Sequence, residues 1–181
     1  FGLYCDIDVG GLDGTGENGR LADTVAFDST ENLAWIADAE GWDPGWRAST
    51  GIMGTKYLET PQDIGMTGFF TNDWALLPDN DPGRYAVIND TSFLTSLPPT
   101  DQFYVQSTRG INLQDGETIR VVYALIAGDD EEDFRANAAA AQTLYDNYFV
   151  GPQPPTTPTL SVTPGHNRVY LHWDEVAEAS V

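Results

Sequence analysis

The residues best able to do chemistry in this sequence are carboxylates that crowd the start of the chain. Nine acidic residues and one basic residue, Arg20, lie between Phe1 and Glu40. Two carboxylates held ~4 Å apart repel each other by ~4 kcal/mol at an effective dielectric constant near 20. A fold that gathers several of them therefore needs protons, basic partners or a cation. Because basic partners are scarce here, we predict a calcium ion, with ligands drawn from Asp6, Asp8, Asp13, Asp23 and Asp28.

The spacing of these acids is typical of oxygen ligands on a flexible loop. The pattern Asp6-x-Asp8-x-Gly10 is followed by further glycines, and calcium binds carboxylates and carbonyls on loops of this kind. The pattern departs from the EF-hand loop at its fifth position, which is Gly10. A solvated acidic loop that forms Asx turns is the alternative interpretation. A transition-metal site is not favoured, because the histidines of the chain, His166 and His172, lie near its end.

The overall charge excludes several classes of partner. The 181 residues carry 28 acidic and 8 basic side chains, for a net charge of −20 at pH 7. Nucleic acids and anionic membrane surfaces both require clustered Lys and Arg, so neither is an expected partner. No apolar run approaches the ~20 residues of a membrane-spanning helix. The single cysteine, Cys5, allows no internal disulfide, which fits a secreted bacterial protein better than a small animal ectodomain.

Alternation of apolar and polar residues predicts the strands that must position these acids. The expected strands cover residues 1–8, 21–27, 33–40, 52–59, 64–70, 102–108 and 118–127. The last of them is apolar on both faces, which predicts a central strand covered on both sides. A short helix is expected near residues 82–88, and a longer one after Asp130, with Phe134, Ala138, Ala141, Tyr145 and Tyr148 on one face. The predicted fold is mainly β, an antiparallel β-sandwich with one C-terminal helix packed on it.

A proline-rich stretch divides the chain. Residues 151–158 hold four prolines and are expected to form a semi-rigid linker between a main domain over residues 1–150 and a short segment over residues 159–181. In that segment Leu160, Val162, Val169, Leu171 and Trp173 alternate with polar residues. The pattern closely resembles the first two strands of a fibronectin type III domain, with Trp173 where such domains place their core tryptophan.

The main domain also resembles a known kind of protein. The Asp6-x-Asp8-x-Gly10 pattern, the later Asn32-Leu33-Ala34-Trp35 stretch and the Ala127-Gly128-Asp129-Asp130 stretch are similar to those of a module found in large secreted bacterial proteins. The resemblance implies a secreted or cell-surface location and a multidomain polypeptide. Neighbouring domains of the same polypeptide are therefore expected partners. A surface glycan, or other copies in an extracellular assembly, is the further partner that we consider. The chain opens on a strand pattern without an initiating Met, so we expect it to be part of a longer polypeptide.

The expected function is structural. No Gly-x-Ser-x-Gly, His-Glu-x-x-His or Cys-x-x-Cys motif occurs, and residues 1–150 contain no histidine to act as a general base. We therefore predict a non-catalytic structural or interaction module that serves in spacing, adhesion or assembly. The alternative is a carbohydrate-binding module attached to a secreted hydrolase, in which Trp42, Trp46 and Trp74 stack on sugar rings. Anchoring of the loops into the core would explain the same tryptophans.

Overall fold

The computed structural model describes residues 1–10, 19–41, 49–94, 97–151 and 158–173. The chain divides into two compact units, Phe1–Thr143 and Leu144–Val181. The described residues form three antiparallel sheets and two α-helices, so the prediction of a mainly β protein is confirmed. In chain order the elements are β1 Gly2–Asp6, β2 Asp23–Asp28, β3 Leu33–Asp38, β4 Ile52–Glu59, β5 Gly68–Asp73, α1 Asp81–Ile88, β6 Gln102–Ser107, β7 Val122–Gly128, α2 Glu131–Asp146, β8 Leu160–Gly165 and β9 Arg168–Trp173.

Two sheets make up the first unit. One has the strand order β1-β6-β5 and the other the order β2-β3-β4-β7, with antiparallel pairing throughout. Strands β1 and β5 are therefore the edges of the three-stranded sheet, and β2 and β7 are the edges of the four-stranded sheet. The second unit contains a separate two-stranded sheet, β8-β9.

The two sheets share one apolar core. Ala34 and Ile36 of β3 are fully buried in it, together with Phe69 of β5 and Tyr104 of β6. Several buried polar groups between the sheets form hydrogen bonds with one another. The Tyr104 hydroxyl and the Thr55 hydroxyl lie 2.8 Å apart, and Thr55 also donates to the Gln106 side chain at 3.0 Å. These bonds remove the cost of burying polar atoms inside an apolar core.

The opposite face of the four-stranded sheet is covered by α2. Leu33 and Trp35, which alternate with the inter-sheet residues of β3, pack against Phe134 and Ala138 of the helix. The rings of Trp35 and Phe134 are 5.6 Å apart. Strand β3 is thus buried on both faces, which is why its sequence is almost continuously apolar.

The prediction of a central strand at residues 118–127 is wrong. Strand β7 is the edge of the four-stranded sheet and is covered on one face only. Ile126 is buried on the α2 side, but Tyr123 and Leu125 on the other face are 50% and 58% exposed. The three-stranded sheet covers the face of β4 that carries Thr55 and Tyr57. It does not extend over the same face of β7, the next strand. The sequence shows that both faces of β7 are apolar, but pairing with distant strands determines whether such a strand is central or at the edge of the sheet.

The helix termini follow the local sequence. The Asn80 side chain accepts a hydrogen bond from Gly83 N–H at 2.9 Å at the start of α1. At the start of α2 the Asp130 carboxylate accepts one from Asp133 N–H, also at 2.9 Å. The helical face predicted for α2 included Tyr148, but the helix ends at Asp146 and Tyr148 is 90% exposed. No helix among the described residues is long and apolar enough to cross a membrane.

Candidate metal centre

Three carboxylates meet where β1 ends and β6 begins. Because these strands pair in antiparallel fashion, with Asp6 opposite Phe103, the residues after Asp6 lie beside those before β6. One carboxylate oxygen from each of Asp6, Asp8 and Asp101 lies within 4.8 Å of the other two. Asp6 and Asp8 are exposed and Asp101 is half-buried. The sequence places Asp101 far from the other two, and only the pairing of β1 with β6 brings it to them.

A fourth carboxylate, that of Asp23, is fully buried, and the charges of Asp8 and Asp101 are near enough to act on it. Its Oδ1 accepts a hydrogen bond from Val9 N–H at 3.3 Å. Its main-chain oxygen accepts hydrogen bonds from Thr100 N–H at 3.2 Å and from the Gln102 side chain at 2.6 Å. Asp23 is therefore held between the segment that carries Asp8 and the segment that carries Asp101.

The fifth member of the group is Asp38, directly opposite Asp23 in the β2–β3 register. Its Oδ1 accepts hydrogen bonds from Glu40 N–H and Gly41 N–H, both at 2.7 Å. Side chains alternate along a strand, so Asp38 shares the inter-sheet face of β3 with Ile36. The Oδ2 atoms of Asp23 and Asp38 are both buried, and neither has a hydrogen-bond partner among the described residues. We call Asp6, Asp8, Asp23, Asp38 and Asp101 the acidic centre.

The electrostatics of the acidic centre oppose full ionisation. Burial above all, together with the nearby charges of Asp8, Asp101 and Asp38, raises the pKa of Asp23 to about 8, although the hydrogen bond from Val9 N–H lowers it. A buried carboxylate is stable only when it is protonated, paired or bound to a cation. A cation beside Asp23 would supply the missing positive charge, and hard oxygen ligands of this kind suit calcium.

The structure does not bring Asp28 to the acidic centre. Asp28 is at the other end of the six-residue strand β2, about 16 Å from Asp23 at the rise of an extended chain. Its carboxylate accepts hydrogen bonds from the Thr30 hydroxyl at 2.7 Å and from Arg135 at 3.1 Å. The Thr30 hydroxyl is the main cause that lowers the pKa of Asp28 to about 2, with Arg135 and backbone donors contributing. Asp13 lies outside the described residues.

Two ligand candidates were missed in the sequence, Asp38 and Asp101, and neither stands out there. A further similarity to the EF-hand loop was visible in the sequence. Counting from Asp6, Gly11 stands at the sixth position and Glu17 at the twelfth. An EF-hand loop has its invariant glycine and its bidentate glutamate at these two positions. Both residues lie outside the described part of the chain, so this remains a match of sequence.

Of the three tryptophans predicted to bind a ligand, the structure describes one. Trp74 begins a single 3-10 turn, Trp74–Leu76, that follows β5, and its side chain is 51% exposed. The Asp73 carboxylate accepts a hydrogen bond from Ala75 N–H at 2.8 Å and so holds this turn in place. Trp42 and Trp46 lie outside the described residues.

Comparison of the chain with protein-family models, with curated proteins and with solved structures found no match. The assignment of a function therefore depends on the acidic centre and on the surfaces of the chain itself.

Proposed function

We propose that the chain is a non-catalytic structural or interaction module of a secreted or cell-surface bacterial protein, stabilised by calcium at the acidic centre. One observation carries the calcium proposal. Within the described part of the chain the buried Oδ2 of Asp23 has no hydrogen-bond partner, and Asp8 and Asp101, two members of the carboxylate cluster, are near enough for their charges to raise the pKa of Asp23. The location rests on the resemblance of the sequence to modules of large secreted bacterial proteins.

The distances in the acidic centre suit one calcium ion. Calcium–oxygen distances are about 2.3–2.6 Å, so two oxygens on the same ion lie at most about 5 Å apart. The oxygens of Asp6, Asp8 and Asp101 satisfy this limit, since all lie within 4.8 Å of one another. Asp23, on β2, is the candidate ligand from the four-stranded sheet. Glu17, which lies outside the described residues, is the expected bidentate ligand by its position in the sequence.

Calcium would join the two sheets of the module. Asp6 and Asp101 belong to the β1–β6 side and Asp23 to β2 of the other sheet. The proposed architecture is a β-sandwich with α2 packed on its outer face. In its support, side chains of both sheets contribute to one core, and α2 covers the opposite face of the four-stranded sheet. A module of this kind would act by its rigidity, as a spacer or an assembly unit.

The second unit fits the start of a fibronectin type III domain. In the β8–β9 register Leu160 pairs with Trp173 and Val162 with Leu171, so these apolar side chains share one face. All four are more than half exposed. A two-stranded sheet is only marginally stable alone, and further strands on this face would complete a sandwich.

A carbohydrate-binding role is the second candidate, and the half-exposed ring of Trp74 favours it. Aromatic faces at loop positions stack on sugar rings. Binding on a glycan array that is lost in Trp74→Ala, and also in Trp42→Ala or Trp46→Ala, would support this role over a purely structural one. Turnover of any substrate by the isolated module would contradict both.

The proposed calcium site is tested by thermal unfolding and calorimetry. We expect calcium to raise the melting temperature relative to EDTA, and magnesium to do so less, because magnesium tolerates only near-ideal octahedral sites. At a calcium concentration one hundred times the dissociation constant, the gain is about 2.7 kcal/mol. Identical melting curves in calcium and in EDTA, with no heat of calcium binding, would refute the proposed site.

A further inference from the structure

Strand β1 presents an unpaired edge. Phe1 and Thr108 exchange both of their backbone hydrogen bonds, each at 3.0 Å. Antiparallel pairs alternate, so Leu3 and Cys5 also bond to β6, whereas Gly2 and Tyr4 direct their N–H and C=O groups away from it. Within the described part of the chain, no backbone hydrogen bond reaches these outward groups of Gly2 and Tyr4. The edge is therefore open to pairing with another strand.

The inner face next to this edge is uncovered. The Phe1 ring lies 6.2 Å from the Tyr57 ring, which places the start of β1 over β4. Tyr57 is 2% exposed, but its neighbour on β7, Tyr123, is 50% exposed. The same contrast holds for Thr55, at 1%, and Leu125, at 58%. The four-stranded sheet thus extends one strand further than the three-stranded sheet, and the apolar face of β7 lies where a fourth strand beside β1 would cover it.

The outer face next to the same edge contains a pocket. Gly2 and Tyr4 of β1 form one wall, and Val87 and Ile88 of α1 form another. The cavity measures about 290 Å³ and is mainly apolar, with Arg84 at its margin. A strand added to β1 would point alternate side chains inward, onto β7, and outward, beside this pocket.

We propose that β1 is a strand-addition site, at which an extended segment of a partner polypeptide joins the three-stranded sheet and covers Tyr123 and Leu125. In this mode of recognition the backbone hydrogen bonds provide affinity, and the pockets for alternate side chains provide specificity. The segment would be apolar at alternate positions and about as long as the seven-residue strand β7. Gly2, Tyr4, Tyr123 and Leu125 are not members of the acidic centre, so failure of the calcium proposal would leave this site in place.

Charge identifies the kind of partner. The chain carries a net charge of −20, and Asp6 lies at one end of the open edge. Two copies of this chain would repel each other, and like charges brought together at an interface are unfavourable. The partner segment is therefore flanked by Lys or Arg rather than supplied by a second copy.

A labelled synthetic peptide tests the site. The probe is roughly eight residues long, alternates Val and Thr, and has Lys at both ends. Fluorescence anisotropy should show saturable binding, and hydrogen exchange should show that the peptide protects the Tyr4 N–H. The same peptide with alternate backbone nitrogens methylated keeps the charges but loses hydrogen-bond donors, and should bind at least about tenfold more weakly.

Three variants of the protein make the test specific. Tyr4→Pro removes one outward N–H and leaves the β1–β6 hydrogen bonds in place. Leu125→Asp places a charge on the uncovered face, and each change should weaken binding at least about tenfold. Leu76→Asp, at a side chain that is 63% exposed in the turn after β5, is the matched control and should bind normally. Melting curves check that each variant is folded.

Four results would overturn the proposal. Three concern the peptide: absence of binding, equal binding of the methylated peptide, and equal binding by Leu125→Asp and the wild type. A concentration-dependent dimer that Tyr4→Pro abolishes would also overturn it, because a second copy would then be the occupant of the edge.

Discussion

Asp23 and Asp38 face each other across β2 and β3, both are buried, and in the described part of the chain each has one carboxylate oxygen without a hydrogen-bond partner. Side chains directly opposite in an antiparallel pair have their Cβ atoms about 4.5–5.5 Å apart. Like charges at that distance destabilise the sheet. The module therefore carries a local electrostatic penalty that a proton or a cation can relieve, and its stability should depend on both.

The first prediction concerns removal of a ligand. Asp23→Asn deletes a buried charge but keeps the shape of the side chain. In EDTA at pH 8 we expect the variant to be more stable than the wild type, because desolvation of the carboxylate no longer opposes folding. In saturating calcium we expect it to gain much less than the ~2.7 kcal/mol expected for the wild type. Urea unfolding in the two buffers measures both effects.

The matched control for this prediction is Asp115→Asn. It removes one charge at an exposed turn and should leave the calcium response unchanged. Asp101→Asn, at a residue of the centre itself, should reduce the response as Asp23→Asn does. An equal calcium response in all of these proteins would show that calcium acts on the net charge rather than at the acidic centre.

The second prediction concerns pH. The pKa of Asp23 rises from 3.8 to about 8 in the folded protein. The unfolded chain therefore releases this proton at a lower pH than the folded chain does. Asp23 lowers the free energy of unfolding as the pH rises from about 4 to about 8, by at most ~1.4 kcal/mol per pH unit. Urea unfolding in EDTA across this range should show the decline, and Asp23→Asn should flatten it.

The pKa of Asp28 shifts in the opposite direction and affects stability at acidic pH. Its pKa falls from 3.8 to about 2 on folding. Its stabilising contribution is complete above pH 4 and is lost as the pH falls through 2. Asp28→Asn should therefore change the acid limb of the stability curve and not the decline between pH 4 and pH 8. If Asp23→Asn and Asp28→Asn alter stability over the same pH range, the opposite pKa shifts of Asp23 and Asp28 are contradicted.

The third prediction concerns the attachment of α2. Arg135 donates hydrogen bonds to Glu131 at 2.9 Å and to Asp28 and Glu31 at 3.1 Å each, and its guanidinium lies 5.1 Å from the centre of the Trp35 ring. Exposed ion pairs contribute up to about 1 kcal/mol each, and the cation–π contact about 0.5–1 kcal/mol. Arg135→Gln should lower the free energy of unfolding by roughly 1–2 kcal/mol.

Two further variants define the cause of that loss. Arg135→Lys keeps the charge but not the planar fork of donors, so it should lie between the wild type and Arg135→Gln. Arg120→Gln, whose ion pair with Glu59 is longer at 3.7 Å and more exposed, should cost less than about 0.5 kcal/mol. Equal losses at positions 120 and 135 would indicate a general effect of charge.

The fourth prediction concerns the close approach of β4 to β3. A Cβ atom on Gly54 would lie 2.6 Å from the Cα of Trp35 and 2.7 Å from its Cβ. Main-chain atoms cannot move aside without disturbing both cores that flank β3. Gly54→Ala should therefore lower the free energy of unfolding by about 1–3 kcal/mol. Gly151→Ala, where no described residue lies within 4 Å, should leave it unchanged and serves as the control.

Local features of the fold could be predicted from the sequence. The two-residue periodicity predicted strands close to β3, β4 and β6, and the Asn80 and Asp130 caps were visible as short polar motifs before helical segments. These signals depend on neighbours only a few positions away. The crowding of acids near Asp6 and Asp8 was likewise visible from composition and spacing.

The position of each strand in a sheet, and the membership of the acidic centre, were decided by tertiary structure. The sequence alone determined a mainly β, strongly acidic chain with capped helices, because backbone periodicity, capping and charge are local properties. Only the folded chain brought Asp101 to Asp6, separated Asp28 from Asp23 and left β7 at an edge. Strand order depends on pairing between distant segments, and the local sequence of an apolar strand does not specify which strand it pairs with.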